Sequence, residues 1–138
     1  MAFSTLLKEN GLKITPTRIA ILEIFKSLKI PLDAQAIWSS LKKDRTLKKT
    51  NEATVYRTLT SFEKNGILKQ VNVRKESVYF ELDTKHHHHI VCTNCDTVED
   101  FENKEIEKAL ERIVSKASKF KNIKEHSVEL FGLCRACA

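Results

Sequence analysis

Four consecutive histidines stand directly before a Cys-x-x-Cys pair in KHHHHIVCTNC, residues 85–95, and the chain has a single further histidine, His126. Imidazoles and thiolates are the side chains that take transition ions, so the first question is one of coordination. The four cysteines form two pairs, Cys92/Cys95 and Cys134/Cys137. In a cytosolic chain two such pairs point to zinc more readily than to disulfides. Four thiolates meet zinc's tetrahedral preference without redox chemistry. The stretch between the pairs, residues 96–133, is longer than in a short zinc ribbon. A helix and a strand must therefore fold so that the chain end returns to the first knuckle, and zinc would staple a unit too small to rest on its own core. The competing readings are a reversible dithiol switch and four unrelated thiols. No active-site context for a thiol enzyme accompanies the pairs.

The histidine run admits an incidental polar stretch, one metal site, or two. Side chains on a strand alternate faces. His86 and His88 then point one way and His87 and His89 the other, so the four cannot reach one small ion without breaking the strand. Halves of two sites fit better. Glu107 and His126 would complete one set with His86 and His88, giving three nitrogens and an oxygen. Glu81 and Asp100 would complete the other with His87 and His89, giving two nitrogens and two oxygens. A polar strand that binds metal only adventitiously remains the bland alternative.

The elements that must position these residues follow from periodicity. Thr15 caps a helix with Pro16 at its first position, and Ile21, Leu22, Ile24, Phe25 and Leu28 form its apolar stripe. Asp33 caps a second helix with Ala34, Ile37, Trp38 and Leu41. In NEATVYRTLTSFEKNG, Val55, Leu59 and Phe62 share one face, and Gly66 sits where a C-terminal cap belongs. Residues 67–82 read as two strands around a turn at Arg74-Lys75-Glu76-Ser77. Helices followed by a hairpin are the order of a winged helix-turn-helix, expected over residues 1–83. A smaller α/β unit is expected over 84–138. It would have strands at 87–91 and 98–101 and a long helix capped by Asn103. Ile106, Ala109, Leu110, Ile113, Ala117 and Phe120 of that helix face a core, and a last strand in HSVELFGL leads to CRAC. The expected class is α+β.

Charge divides the chain in the same place. Residues 1–84 hold 15 Lys/Arg against 9 Asp/Glu, residues 85–138 hold 9 of each, and the net charge of +6 lies wholly in the first part. A basic module suits a polyanion, and a neutral one rich in histidine and cysteine suits metal. With Val55, Leu59 and Phe62 turned inward, Arg57, Thr60, Ser61 and Lys64 point outward and Thr54 and Tyr56 lie on the flanks. Arginine can bond guanine in bidentate fashion, and tyrosine or threonine can touch a thymine methyl or a phosphate. Lys42, Lys43, Arg45, Lys48 and Lys49 in the preceding loop would attract phosphates, as would Arg74 and Lys75 at the hairpin tip. A solvated amphipathic helix beside a lysine-rich loop is the plainer reading.

No enzyme constellation competes. His-Glu-x-x-His, a Gly-rich phosphate loop and a serine nucleophile motif are missing, and a metal-dependent hydrolase would need a cleft and a general base that no motif indicates. No apolar run approaches the ~20 residues that cross a bilayer. The start, MAFSTLLKENGLK, lacks the pattern of a secretory signal, so a cytoplasmic protein is expected.

GLKITPTR, ATVYRTLTSFEKNGIL, HHHHIVCTNCDTVEDF and the terminal CRAC, in this order over nearly the whole chain, resemble the ferric uptake regulator (Fur) family. The resemblance implies a homodimeric, metal-responsive transcriptional repressor with an N-terminal winged helix and a C-terminal dimerisation domain. It implies structural Zn2+ on Cys92, Cys95, Cys134 and Cys137. It implies a regulatory metal on Glu81, His87 and His89 with Asp100, and a further site on His86, His88, Glu107 and His126. Mixed imidazole and carboxylate donors without thiolate suit Fe2+ or Mn2+, with Zn2+ sensing second and peroxide sensing through metal-catalysed histidine oxidation third. Tyr56 and Arg57 would contact a pseudo-palindromic operator with Lys13 near the minor groove, and Arg18, Thr54, Thr60, Arg74 and Lys75 join the DNA-facing set. Two positions depart from the family pattern. Where relatives have a regulatory histidine before the second helix this chain has Pro31, which leaves Glu81 as the main link from metal to the DNA-reading module. Where many relatives have aspartate it has His88.

Overall fold

The computed structural model describes residues 2–74 and 76–138. The chain divides into two compact units, Met1–Thr84 and Lys85–Ala138, one residue after the 83/84 division drawn from composition.

The first unit opens with a short helix, α1 (Phe3–Glu9), that periodicity alone did not indicate; Leu7 anchors it in the core. Helix α2 (Pro16–Leu28) starts as expected, with Thr15 Oγ1 accepting the Arg18 N–H at 3.2 Å and proline where no amide is needed. Its Ile21, Leu22 and Phe25 are buried, whereas Leu28 is half exposed. A two-residue strand, β1 (Leu32–Asp33), precedes α3 (Ala34–Leu41), whose N-terminus Asp33 caps by accepting from Ala36 N–H at 2.9 Å.

Helix α4 (Glu52–Lys64) is capped by Asn51 and closed by Gly66 at φ 71°. The Ile67 N–H reaches Phe62 O at 2.9 Å and the Gly66 N–H reaches Glu63 O at 3.0 Å, a Schellman closure that needs a left-handed residue. Strands β2 (Leu68–Val71) and β3 (Tyr79–Leu82) form the hairpin, and β1 adds to it antiparallel in the order β1-β3-β2. One apolar cluster joins all of these elements, with Leu7, Ile21, Leu22, Ile37, Val55, Leu59 and Phe62 at zero exposure. Four helices packed on a small three-stranded antiparallel sheet make this unit a winged helix-turn-helix.

The second unit is a three-stranded sheet in the order β5-β4-β6. Strands β4 (His88–Cys92) and β5 (Val98–Phe101) pair antiparallel, and β4 pairs parallel with β6 (Glu129–Gly132). Helix α5 (Lys104–Lys116) connects β5 to β6, with Asn103 Oδ1 accepting from Ile106 N–H at 3.0 Å. This helix is shorter than its periodicity suggests. Ala117 is extended and Phe120 lies beyond it. No residue of α5 is buried, and Ile113 and Phe120 are 64% and 72% exposed, so within the lone chain that face does not meet a core. Mixed helix and strand in two small sheets give the α+β class.

Candidate metal centres and nucleic-acid face

The two cysteine knuckles are built by backbone turns. Cys92 ends β4, and the chain reverses through Asp96, at φ 67°, whose N–H reaches Cys92 O at 3.0 Å. The second knuckle closes with Cys137 N–H on Cys134 O at 3.1 Å. The four sulfurs lie within 4.8 Å of one another, and Cys95 and Cys134 are 3.7 Å apart. Thiolates ~2.3 Å from a tetrahedral zinc sit about 3.8 Å from each other, so this group is suited to structural zinc. Backbone N–H groups of Cys95, Cys134 and Asn94 aim at Cys92 Sγ and pull its pKa down to about 6. Thr97 lowers Cys95 through its hydroxyl and N–H. At Cys137 the Asn94 amide acts in the lowering direction, but the neighbouring sulfurs of Cys134, Cys95 and Cys92 and desolvation outweigh it and push the thiol up to about 11. Four sulfurs that cannot all ionise comfortably together are what a divalent cation relieves.

The histidines divide by parity, as strand geometry requires. Only His88 and His89 belong to β4, yet the alternation extends back through the two preceding residues. The His86 and His88 ring centroids are 4.7 Å apart, and those of His87 and His89 are 4.9 Å apart. On the first face, His86 Nε2 lies 3.1 Å from His126 Nε2 and 3.3 Å from Glu107 Oε1. His88 Nε2 is 2.6 Å from Glu107 Oε1, and His126 Nε2 is 2.6 Å from Glu107 Oε2. Glu107 reaches this group from the first turn of α5. Its carboxyl is held below the usual range, chiefly by the hydrogen bond from His88 and then by charge on His126 and His86, with burial opposing.

On the other face, Asp100 Oδ1 is 3.6 Å from His89 Nε2 and Asp100 Oδ2 is 3.9 Å from His87 Nε2. The β4–β5 register sets this, because His89 and Asp100 are direct partners. His87 Nδ1 donates to Lys85 O at 2.8 Å, the backbone contact made by a histidine that ligates metal through its other nitrogen. Glu81 lies in the first unit on β3, buried, with Lys69 Nζ 3.5 Å from its carboxylate.

The polar side of α4 carries the expected DNA-facing groups. Tyr56 and Arg57 are exposed, and Thr54 and Thr60 are partly so. The Arg57 guanidinium is 3.4 Å from Thr54 Oγ1, and the Thr60 hydroxyl donates to Tyr56 O at 3.0 Å. Arg18, in the first turn of α2, donates to the Lys13 backbone carbonyl at 2.7 Å and so ties the helix to the segment before it. Arg74 donates to the Tyr79 hydroxyl at 3.1 Å; Lys75 lies outside the described residues. Residue types did not reveal how the basic loop is held. Trp38 Nε1–H donates to Thr50 O at 2.9 Å, and the Lys42 ammonium sits 3.4 Å above the indole ring.

A winged helix joined to a small α/β unit with a four-thiolate group and two imidazole–carboxylate groups defines a metal-binding regulator of the DNA-reading class. The pattern of the Ferric uptake regulator family matches residues 9–131, and the chain belongs to that family. Members are dimeric, metal-responsive transcriptional regulators. The chain is 36% identical over 133 residues to the Ferric uptake regulation protein of Neisseria gonorrhoeae, covering 95% of this chain and 90% of that protein. Its fold is similar to the ferric uptake regulator of Francisella tularensis, solved with iron, at a TM-score of 0.80 and 32% identity over 92% of this chain and 95% of that one. It is also similar to the Helicobacter pylori ferric uptake regulator Fur, described with three functional metal-binding sites, at a TM-score of 0.81 and 27% identity over 98% and 88%.

Proposed function

We propose that the protein is a homodimeric repressor that senses iron. Residues 1–83 act as the DNA-binding module and 84–138 as the metal-binding and dimerising one. The observation that carries this reading is the split of one histidine run into two groups, each completed by carboxylate. Mixed imidazole and carboxylate donors without thiolate suit Fe(II) or Mn(II). His87, His89 and Asp100, with Glu81, are the regulatory ligands. Glu81 stands on the strand that runs into the histidine segment, six positions before His87 in the chain. An ion held there favours whichever arrangement of the two units it binds better and so biases DNA binding. Arg57 and Tyr56 read base edges, while Lys13, Arg18, Thr54, Thr60, Arg74, Lys75 and the basic loop position the phosphates. A second copy of the chain covers Ile113, Phe120, Leu130, Phe131 and Leu133, which are exposed apolar residues, and the open edge of β6.

Gel retardation of duplexes selected from a random pool, titrated with Fe(II), Mn(II) and Zn(II) under constant reductant, tests this reading. Metal-dependent retardation is expected for wild type and for His86→Ala, and its loss for His87→Ala. If both variants respond like wild type, neither histidine group is the sensor. If peroxide abolishes binding through a Cys92–Cys95 disulfide while chelation of the labile metal changes nothing, the thiols carry the signal instead.

A further inference from the structure

The group formed by His86, His88, Glu107 and His126 does not offer four equivalent donors. His86, Glu107 and His126 line a cleft of about 550 Å³ bounded by α5 and residues 121–126. His88 is not part of that lining. Its side chain is fully buried, with its ring 5.5 Å from that of Phe101.

Both ring nitrogens of His88 are engaged. The Val128 backbone N–H donates to Nδ1 at 3.1 Å, and Nε2 lies 2.6 Å from Glu107 Oε1. A neutral imidazole carries one proton. Nδ1 is an acceptor here, so the proton is on Nε2 and is donated to Glu107. A metal-bound imidazole is arranged the other way, with its lone pair on the ion and its far N–H given to a carbonyl or carboxylate. His87 has that arrangement, through Nδ1 and Lys85 O. For His88 to ligate through Nε2, the Val128 N–H would have to give up its acceptor. Residue 128 is fixed from its other side as well, because His89 N–H donates to Val128 O at 3.2 Å.

We propose that His88 is a positioning residue and not a fourth ligand: its Nε2–H holds the Glu107 carboxylate for an ion bound by His86, Glu107 and His126. This rests on the reading of the group as a metal site. The separations of 3.1 Å between His86 Nε2 and His126 Nε2, and 3.3 Å between His86 Nε2 and Glu107 Oε1, are those of neighbouring donors around one ion bound at ~2.1 Å. Beside these three donors the cleft gives solvent access to the site. The buried histidine thus replaces an anionic donor with a neutral hydrogen-bond donor, and the ion meets one carboxylate only.

Imidazole 15N NMR tests this on the full-length, zinc-stapled protein carrying His87→Ala and His89→Ala, titrated with Zn(II). The His86 and His126 ring nitrogens are expected to shift while His88 keeps its proton on Nε2. In parallel, His88→Gln, whose amide can still donate to Glu107, is expected to keep Zn(II) affinity within about threefold. His88→Phe, which cannot donate, is expected to lose about tenfold, and His126→Ala about a hundredfold. Movement of the His88 proton to Nδ1 with Nε2 shifted by zinc, or a His88→Gln loss equal to that of His126→Ala, overturns the assignment and leaves the metal site standing. If none of the three rings responds to Zn(II), the metal-site reading and the inference fall together.

Discussion

The two units of this chain bury very different things. The first closes on fourteen apolar side chains from four helices, three strands and two connecting segments. In the second, the buried apolar residues are Val91 and Cys92, and beside them His88 and His89 are buried as deeply. One unit is organised by the hydrophobic effect. The other gathers donors, and most of its apolar residues are exposed or only partly buried. A domain of 54 residues with so small an interior draws little stability from burial, and a zinc staple on its four thiolates would supply much of what is missing. Sensing fits such a unit, because a structure whose stability depends on ligands responds to their supply.

The contrast predicts where substitutions bite. The largest effect is expected from Cys92→Ser. Zinc on four thiolates contributes on the order of 10 kcal/mol or more to such folds, so the second unit should lose its structure while the first retains its own. Residue-resolved NMR, with zinc measured by mass spectrometry, checks this. Uniform retention of both sets of amide signals would show that the second unit has a sufficient core after all. Next, Leu59→Ala in the first unit should cost about 2–5 kcal/mol in denaturant unfolding, because Leu59 has no exposed surface. The matching Ile113→Ala, on a residue 64% exposed, should leave the unfolding of dilute monomer nearly unchanged and raise the dimer dissociation constant instead, as read by sedimentation. A monomer destabilised as much as by Leu59→Ala would mean that α5 packs on its own unit. The smallest effect is expected from Asn51→Ala, which removes the cap of α4 and should cost about 1 kcal/mol without altering metal uptake.

Much of this was legible in residue order, for reasons of period. Capped helices announce themselves, and Thr15, Asp33 and Asn103 each accept the amide that their positions imply; the Asn51 cap of α4 became apparent only in the structure. Period two separated the histidine pairs even where the chain is no longer a formal strand. Two elements escaped notice. Helix α1 has only seven residues and no side-chain cap, and β1 has two residues, too few for either to set a pattern. Helix α5 was read as core-facing because an apolar stripe reveals that a face will be covered but not by what. The proton positions on His87 and His88 were beyond reach altogether. They follow from Lys85 O and Val128 N–H, backbone groups whose placement depends on the folded sheet.

Trp38 is the chain's single tryptophan, and its indole is bound at one edge to Thr50 and capped on its face by Lys42, the two ends of the lysine-rich loop. Any load that tightens or frees that loop changes the polarity around the one ultraviolet fluorophore of its kind. The molecule therefore carries its own optical gauge, unlabelled, at the segment where a polyanion would first make itself felt.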